Sequence, residues 1–174
     1  MADLTIWTVG HSNVKAEVLL DALRAADVRS VVDVRMFPQS RRNPQFNRDR
    51  LSAALAEGGI SYRHMPELGG RRVPREDSIN LGLKDEGFRG FADFMATPQF
   101  EAALGELLSI AEADRTAIMC AESVPWHCHR SLISDALLAR GHSVVHLFGG
   151  GEREHTLTPS ARVEGESVTY PALL

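Results

Sequence analysis

Short apolar, β-rich segments alternate with amphipathic helical segments along most of this chain, and no other feature of the sequence constrains the fold as strongly. Apolar residues at helical spacing separate each β-rich segment from the next, which predicts a helix between successive strands. Parallel neighbours in a sheet need such crossover connections. The order therefore predicts an α/β fold, a single three-layer domain whose mostly parallel, Rossmann-like sheet is flanked by helices. The predicted strands are residues 5–9, 30–34, 60–64, 116–120 and 143–147.

The strong patterning ends at the glycines 149–151, which divides the chain into two parts. We assign residues 1–151 to the α/β domain and residues 152–174 to a polar C-terminal tail that can add one edge strand near 167–170. Inside the domain, residues 66–85 form a long polar segment rich in glycine and arginine. A loop of this length is uncommon in a compact domain unless it is functional or disordered, and its role is left open.

The composition is that of an ordinary globular protein, because 44% of the 174 residues are hydrophobic and 24% are charged. The formal net charge of −4 argues against a wholly basic nucleic-acid binder, although it says little about one face of the molecule. The sequence has no signal-peptide pattern and no apolar run of membrane-spanning length. We therefore expect a cytoplasmic protein with no membrane partner, whose two cysteines are thiols rather than a structural disulfide.

Residues 120–130 place both cysteines, a carboxylate, two histidines and an arginine between a predicted strand and a predicted helix. At such a junction, free backbone N–H groups and the positive end of the helix dipole favour anions. Ligands of open α/β sheets also bind beside the carboxyl ends of the strands. The segment is therefore typical of a loop that builds a binding or catalytic site.

Polar residues follow several predicted strands, so a parallel sheet would bring them to one edge. Each has a structural alternative, since His11 could cap a turn and Asp33 could hold its loop by accepting hydrogen bonds. Glu122 and Asp33 are the candidate general acid or base, because partly desolvated carboxylates can exchange protons near neutral pH. Ion pairs with arginine are the alternative role for these carboxylates. The residues expected to converge are His11, Ser12, Asp33, Arg35, His64 and Glu122.

Cys128 lies near a predicted helix N-terminus, where a thiolate is stabilised, and could act as a nucleophile beside His129. Buried packing is the more common role of a cysteine, and we expect it also for Cys120. A zinc site in this segment fits the ligand types but not the spacing, which lacks a Cys-x-x-Cys or His-Glu-x-x-His pattern. We therefore predict neither a metal nor a redox pair, and the lack of nucleotide-binding glycine motifs argues against a cofactor.

Arginines cluster around the predicted edge of the sheet. Arginine rather than lysine is preferred where phosphate or carboxylate is bound by paired hydrogen bonds. A solvated loop surface is the alternative. The pattern favours recognition of an anion, with nucleotides or nucleic-acid phosphates as natural ligands. The arginines in question are Arg35, Arg41, Arg42, Arg71, Arg72, Arg75 and Arg130.

A set of short motifs, taken together, resembles the family catalogued as domain of unknown function 488. The resemblance implies a compact α/β domain with these motifs in a common site, and it carries no established reaction. The motifs run in order from near the N-terminus to about residue 147. They are Thr8-Val9-Gly10-His11-Ser12, Asp33-Val34-Arg35-Met36-Phe37-Pro38 with Ser40-Arg41, Leu68-Gly69-Gly70, Phe94-Met95 with Thr97 and Phe100, and Cys120-Ala121-Glu122 with Pro125 and Cys128-His129-Arg130.

These observations predict an enzyme that acts on a nucleotide or nucleic acid by carboxylate acid/base chemistry. A noncatalytic nucleotide-binding or nucleic-acid-binding module is the alternative. The sequence leaves the reaction, the substrate and the oligomeric state open. The candidate catalytic residues are Glu122, Asp33, His11, His129 and Cys128. The candidate substrate-binding residues are Ser12, Arg35, Ser40, Arg41 and Arg130.

Overall fold

A computed structural model of the chain describes residues 3–172. The strands of the main sheet are β1 (Thr5–Gly10), β2 (Ser30–Asp33), β3 (Ser61–His64), β4 (Thr116–Cys120), β5 (Ser143–Phe148) and β6 (Gly151–Glu154). A separate hairpin contains β7 (Arg162–Glu164) and β8 (Ser167–Thr169). The helices are α1 (Ala16–Ala25), α2 (Arg48–Glu57), α3 (Glu86–Phe94), α4 (Pro98–Ala113) and α5 (Arg130–Ala139).

The main sheet has the strand order β3-β2-β4-β1-β5-β6. The first five strands run parallel, and β6 pairs antiparallel with β5 at the edge. Helices connect the parallel strands, as parallel pairing requires. The predicted α/β fold with a mostly parallel sheet is confirmed.

Helix starts follow local sequence signals. Thr97 caps α4 by accepting a hydrogen bond from the backbone N–H of Phe100, and Pro98 occupies the first helical position, where its missing N–H costs nothing. Asp85 caps α3 in the same way by accepting from the N–H of Phe88 at 3.0 Å. These caps fix where the long segment 66–85 ends and the helical region begins.

Two separate hydrophobic cores cover the two faces of the sheet. On one face, α1 and α2 pack residues such as Leu23 and Leu55 against Met119. On the other face, α3, α4 and α5 pack residues such as Phe91 and Leu132 against Ile118. Because neighbouring residues of β4 serve opposite faces, the sheet is buried on both sides, as expected for parallel strands. The molecule therefore has three layers. No helix within residues 3–172 has the length and apolar character needed to cross a membrane.

The C-terminal region differs in detail from the strand predictions. Gly149 and Gly150 have φ of 64° and 78°, a left-handed backbone suited to glycine, and they turn the chain from β5 into β6. The sequence pattern missed β6 because all four of its residues are exposed and polar or glycine. The strand predicted near residues 167–170 is present as β8, but it pairs with β7 rather than joining the edge of the main sheet. Tyr170, which follows β8, is fully buried.

The sheet topology creates a crevice at the carboxyl ends of β1 and β4. These strands are neighbours, yet the chain leaves β1 toward α1 on one face and leaves β4 toward α5 on the other. Divergence of this kind opens a gap beyond the strand ends, where ligands of open α/β sheets bind.

Candidate functional site

An open cleft of about 980 Å³ lies at this carboxyl edge. It is lined by the segments that follow β1 and β2, by the segment between β4 and α5, by the start of α3 and by part of the 66–85 segment. Most residues predicted for the site meet here, whereas Asp33 and Arg130 are buried and do not line it, and Arg41 lies in a shallow depression beside it. The predicted residues that line the cleft are His11, Ser12, Arg35, Ser40, Glu122, Cys128 and His129.

Asp33 forms a buried ion pair with Arg35. Its Oδ1 accepts from Arg35 Nε and from the Arg35 backbone N–H, each at 3.0 Å, and its Oδ2 accepts from Arg35 Nη2 at 2.8 Å. Tyr62 also donates its hydroxyl to Oδ2 at 2.5 Å, and burial together with this bond raises the pKa of Tyr62. The hydrogen-bonding capacity of Asp33 is therefore taken up by protein groups. The carboxylate does not face the cleft but holds Arg35, which lines it.

His11 connects this ion pair to the cysteine segment. Its backbone N–H donates to the Cys120 carbonyl at 2.9 Å, and its ring stacks on Phe46 with centroids 4.4 Å apart. Burial lowers the pKa of His11, and the charge of Arg35 lowers it further, although the bond to the Ser12 carbonyl acts in the opposite direction. A neutral ring can donate from Nδ1 to that carbonyl and accept at Nε2 from Arg35 Nη1, 3.3 Å away. Ser12 itself has φ of 50°, a left-handed conformation rare outside glycine.

Glu122 contributes its backbone more than its side chain. Its carboxylate is solvent-exposed at the rim of the cleft and accepts a long bond from the N–H of Val124 at 3.4 Å. Its carbonyl oxygen accepts from Arg130 Nη2 at 2.7 Å. The same carbonyl lies against Gly10, where a Cβ atom would overlap it, so only glycine lets the loop pass this close to β1.

The two cysteines lie together at the floor of the cleft, with their Sγ atoms 2.6 Å apart. Both are free thiols and both are buried. Burial and the neighbouring Cys128 raise the pKa of Cys120. Burial alone would raise the pKa of Cys128 as well, but hydrogen bonds from Cys120 and His129 and the charges of His129 and Arg130 bring it well below its ordinary value. Of the two thiols, Cys128 is therefore the one whose surroundings favour the thiolate, with Cys120 as a hydrogen-bond donor to it.

His129 lies beside Cys128 in an orientation that suits a base. Its Nε2 lies 3.1 Å from the Val34 carbonyl and 2.9 Å from the Leu68 carbonyl, and because both are acceptors, Nε2 must carry a proton. In the neutral ring, Nδ1 then has a free lone pair, and it lies 3.5 Å from Cys128 Sγ. His129 can thus take the thiol proton while two backbone carbonyls hold the ring in place.

Gly70 explains why the 66–85 segment belongs to the site. A Cβ atom on Gly70 would lie 2.6 Å from the ring of His129, closer than any real contact of this kind. The Leu68 carbonyl of the same segment accepts from His129 at 2.9 Å. The Leu-Gly-Gly motif therefore packs against one side of the imidazole and fixes its direction.

Arg130 is fully buried beneath the cysteine segment, so the prediction that it contacts a bound anion is not supported by its position. Its guanidinium donates to Thr8 Oγ1 at 3.2 Å and to the carbonyls of Glu122 and Ser123. Within residues 3–172 it has no carboxylate within ion-pairing distance, and its Nε has no hydrogen-bond partner. A buried cation without an adjacent anion favours the negative form of a nearby group, and it lowers the pKa of Cys128.

Three exposed arginines surround the opening of the cleft. Arg42 and Arg71 line it, and Arg41 lies beside it. None of them has a carboxylate partner in the described part of the chain, whereas Arg75 is paired with Asp77 at the surface and does not line the cleft. We call Arg41, Arg42 and Arg71 the rim arginines. They give the opening a positive character that could hold an anion.

Several features of the site escaped the sequence patterns. The cysteines are separated by a loop rather than by a recognised redox or metal spacing, so their contact could not be read from the sequence. The hydrogen bond from Tyr62 to Asp33 was not predicted, because aromatic residues in strands usually pack against apolar neighbours. In residues 3–172, no three side chains of the histidine, cysteine or acidic type lie close enough together to ligate one metal ion.

Comparison with protein families gives one match. The model described as Domain of unknown function DUF488 matches residues 15–137, more than half of the chain, and the chain belongs to this family. No curated protein and no solved structure matches the chain. The matched region contains both cysteines, the Asp33–Arg35 pair and Gly70, while His11 and the C-terminal hairpin lie outside it.

Proposed function

We propose that this member of the DUF488 family is an enzyme that uses Cys128 as a nucleophile on a phosphate-containing substrate, with His129 as its base. One observation carries the proposal: the sulfur of Cys128 lies 3.5 Å from an imidazole nitrogen whose ring is oriented by two backbone carbonyls. A nucleophile, an adjacent base and a group that orients the base form the usual arrangement for covalent catalysis.

The surroundings of Cys128 supply the activation that a thiol needs. Thiols react as thiolates, and positive charge or a helix N-terminus lowers the thiol pKa. Here Arg130 provides buried positive charge, the backbone N–H of Arg130 points to Cys128 Sγ at 3.4 Å, and α5 begins at this point. Cys128 is buried among these groups, yet it lines the cleft and so faces a bound substrate.

The rim arginines support an anionic substrate. Since they lack carboxylate partners among residues 3–172, a phosphate entering the cleft would not have to displace an ion pair within that part of the chain. The cleft is large enough for a nucleotide or for the end of a nucleic-acid strand, since ligand pockets commonly span about 300–1,000 Å³. Nucleotides and nucleic acids are therefore the substrate classes that we propose.

The chemistry that follows is phosphoryl transfer through a cysteinyl intermediate. The thiolate attacks phosphorus, a sulfur–phosphorus bond forms, and the bond from phosphorus to the leaving oxygen breaks. Protonated His129 returns its proton to that oxygen. Water or a substrate hydroxyl then attacks phosphorus while neutral His129 accepts its proton. A phosphorus–oxygen bond forms, the sulfur–phosphorus bond breaks, and Cys128 leaves as the free thiolate.

The carboxylates take different parts in this scheme. Asp33 holds Arg35 and the cleft wall, because its oxygens are already bonded to Arg35 and Tyr62. Glu122 remains the candidate for proton exchange with the solvent side of the substrate, since its side chain is exposed at the rim. A Glu122→Gln variant tests whether His129 or Glu122 is the main base. We expect a modest loss of activity if it is His129, and loss of most activity if it is Glu122.

The test is an activity panel of nucleotides, phosphate esters and short oligonucleotides, followed by variants. We expect Cys128→Ser and Cys128→Ala to lose activity while keeping the fold, and Cys120→Ser to keep most of it under reducing conditions. A phosphorylated or otherwise modified Cys128 trapped by acid quench and found by mass spectrometry would support the mechanism. Full activity in Cys128→Ala would refute it.

A noncatalytic binding module is the alternative, and the rim arginines favour it as much as they favour an enzyme. It predicts that an Arg42→Ala/Arg71→Ala variant loses nucleotide or oligonucleotide binding, whereas Cys128→Ala binds as the wild type does and no turnover is found. Isothermal calorimetry on the same variants used for the activity panel distinguishes these outcomes.

A further inference from the structure

We propose that Cys128 and Cys120 form a reversible redox pair, in which Cys128 reacts with a hydroperoxide and Cys120 resolves the product as an intramolecular disulfide. This inference rests on the nucleophilic character of Cys128 in the proposed function, but not on the phosphate substrate. Hydroperoxides would then be a second class of small molecule that reacts at this site.

The contact between the sulfurs carries the inference. Cys120 Sγ and Cys128 Sγ lie 2.6 Å apart while both residues are free thiols. The chain contains two cysteines, so within one molecule each is the other's only thiol partner. Cys120 ends β4, and only His129 separates Cys128 from α5, so regular structure lies close to both ends of the intervening loop.

The environments of the two thiols differ as the reaction requires. Cys128 has the positive neighbours Arg130 and His129, which favour its thiolate, and thiolates are the form that peroxides oxidise. Cys120 is buried and stays protonated beside it, so it does not compete for the oxidant. Both line the same cleft, so a small hydroperoxide that enters meets Cys128 with Cys120 already in contact.

The steps balance as follows. The Cys128 thiolate attacks an oxygen of the hydroperoxide, a sulfur–oxygen bond forms, the oxygen–oxygen bond breaks, and the departing alkoxide or hydroxide takes up a proton. Cys120 then loses its proton and attacks the sulfenic sulfur of Cys128, so that the disulfide forms and water leaves. Two thiols and one hydroperoxide thus give one disulfide, one alcohol or water, and one water. A dithiol reductant reverses the change by thiol–disulfide exchange.

The disulfide would also remove the proposed nucleophile. Because a sulfur in a disulfide is no longer a thiolate, oxidation would abolish activity on the phosphate substrate until a dithiol restores the Cys128 thiolate. Cys120 would protect Cys128 at the same time, since an unresolved sulfenic acid is oxidised further to the sulfinic acid, which ordinary reductants do not restore.

The experiment treats the full chain with hydrogen peroxide and follows intact mass. We expect the wild type to lose two hydrogen atoms and to regain them with dithiothreitol. We expect Cys120→Ser to give a dimedone adduct on Cys128 when dimedone is present and the irreversible sulfinic acid when it is absent. We expect Cys128→Ser to form no disulfide and no dimedone adduct at matched peroxide. Circular dichroism of each variant checks that the fold is kept.

Two further results would overturn the inference, and they differ in what they say about the proposed function. If the wild type is trapped by dimedone as readily as Cys120→Ser and forms no disulfide, the redox pair is wrong while the nucleophile stands. If Cys128 reacts neither with peroxide nor with iodoacetamide at neutral pH, the redox pair and the proposed nucleophile both fail.

Discussion

Arg130 and Asp135 lie on the same helix and are joined by a chain of hydrogen bonds that leaves the helix and returns to it. Arg130 donates to Thr8 Oγ1, which lies 2.5 Å from His146 Nδ1. His146 Nε2 lies 2.8 Å from His155 Nδ1, and His155 Nε2 lies 2.8 Å from Asp135 Oδ1. With both imidazoles neutral, every donor in the chain points away from the buried cation and toward the buried carboxylate.

This chain of hydrogen bonds connects Arg130 to a carboxylate, which Arg130 lacks at ion-pairing distance within residues 3–172. A buried charge is costly unless hydrogen bonds or an opposite charge compensate it, and aligned hydrogen bonds polarise one another. The chain passes through residues after the family match, since His155 lies beyond residue 137. The C-terminal region therefore helps to stabilise the buried positive charge of Arg130, which lowers the pKa of Cys128.

His146 should make the stability of the protein depend on pH. Burial lowers the pKa of His146 to about 3, with smaller contributions from the charges of His155, Arg130 and Arg153, against an ordinary value of 6.5. Between these values the unfolded chain binds a proton that the folded protein does not, so the free energy of unfolding falls as the pH falls. For one proton the slope is about 1.4 kcal/mol per pH unit.

The free energy of unfolding in urea, measured at several pH values between about 4 and 7, gives this slope, because histidine in an unfolded chain titrates within that range. We expect His146→Gln to have a shallower dependence than the wild type by roughly one proton. Equal slopes in the two proteins would show that His146 is protonated in the folded state.

Tyr170→Phe should destabilise the fold without touching the cleft. The Tyr170 hydroxyl donates to Asp135 Oδ2 at 2.7 Å and is fully buried. Removing a hydrogen bond to a charged acceptor costs about 1.5–3 kcal/mol. Denaturant unfolding at pH 7 measures the loss, and an unchanged midpoint would mean that water or another donor replaces the hydroxyl.

Gly70→Ala should disable the cysteine–histidine pair. The new methyl group would lie 2.6 Å from the His129 ring, so the ring must turn and move Nδ1 away from Cys128. We expect slower alkylation of Cys128 at neutral pH and loss of any activity that depends on it. Gly105→Ala is the matched control, because it lies inside α4 with nothing within 4 Å of the new atom. That change should be neutral or stabilise the helix by about 1 kcal/mol.

Cys128 should still be alkylated rapidly at pH values where an ordinary cysteine is almost fully protonated and reacts slowly. Burial opposes ionisation, but Cys120, His129 and Arg130 together hold the pKa of Cys128 well below its ordinary value. The rate of reaction of Cys128 with iodoacetamide in the reduced wild type, distinguished from that of Cys120 by peptide mass spectrometry, should therefore level off below about pH 8.5. His129→Gln should move the profile upward, and an unshifted profile in that variant would show that His129 does not interact with the thiol.

Much of the fold followed from local pattern. The predicted strand over 116–120 matches β4 residue for residue, because a short apolar run marks it clearly. Strand β6 was missed, since an exposed polar edge strand has no hydrophobic signal of its own.

Side-chain direction was the part that periodicity could not provide. The topology brings His11, Glu122 and Cys128 to one edge as predicted, but it does not tell which side chains turn inward at the strand ends. Arg130 turns beneath the loop toward Thr8, which is far away in sequence. Asp33 turns toward its near neighbour Arg35, where Tyr62 from β3 is a second, distant partner. The contact of the cysteines likewise depends on how a loop closes.

The position of Cys128 and His129 at the start of one helix has a consequence for how this site can change over evolution. These two residues are neighbours in the chain, so an insertion or deletion in the loop 121–127 leaves their relationship intact. The same event would move Cys120 away from Cys128, because those residues meet only through closure of the loop. A homologue with a different loop length should therefore keep the nucleophile and lose the resolving thiol.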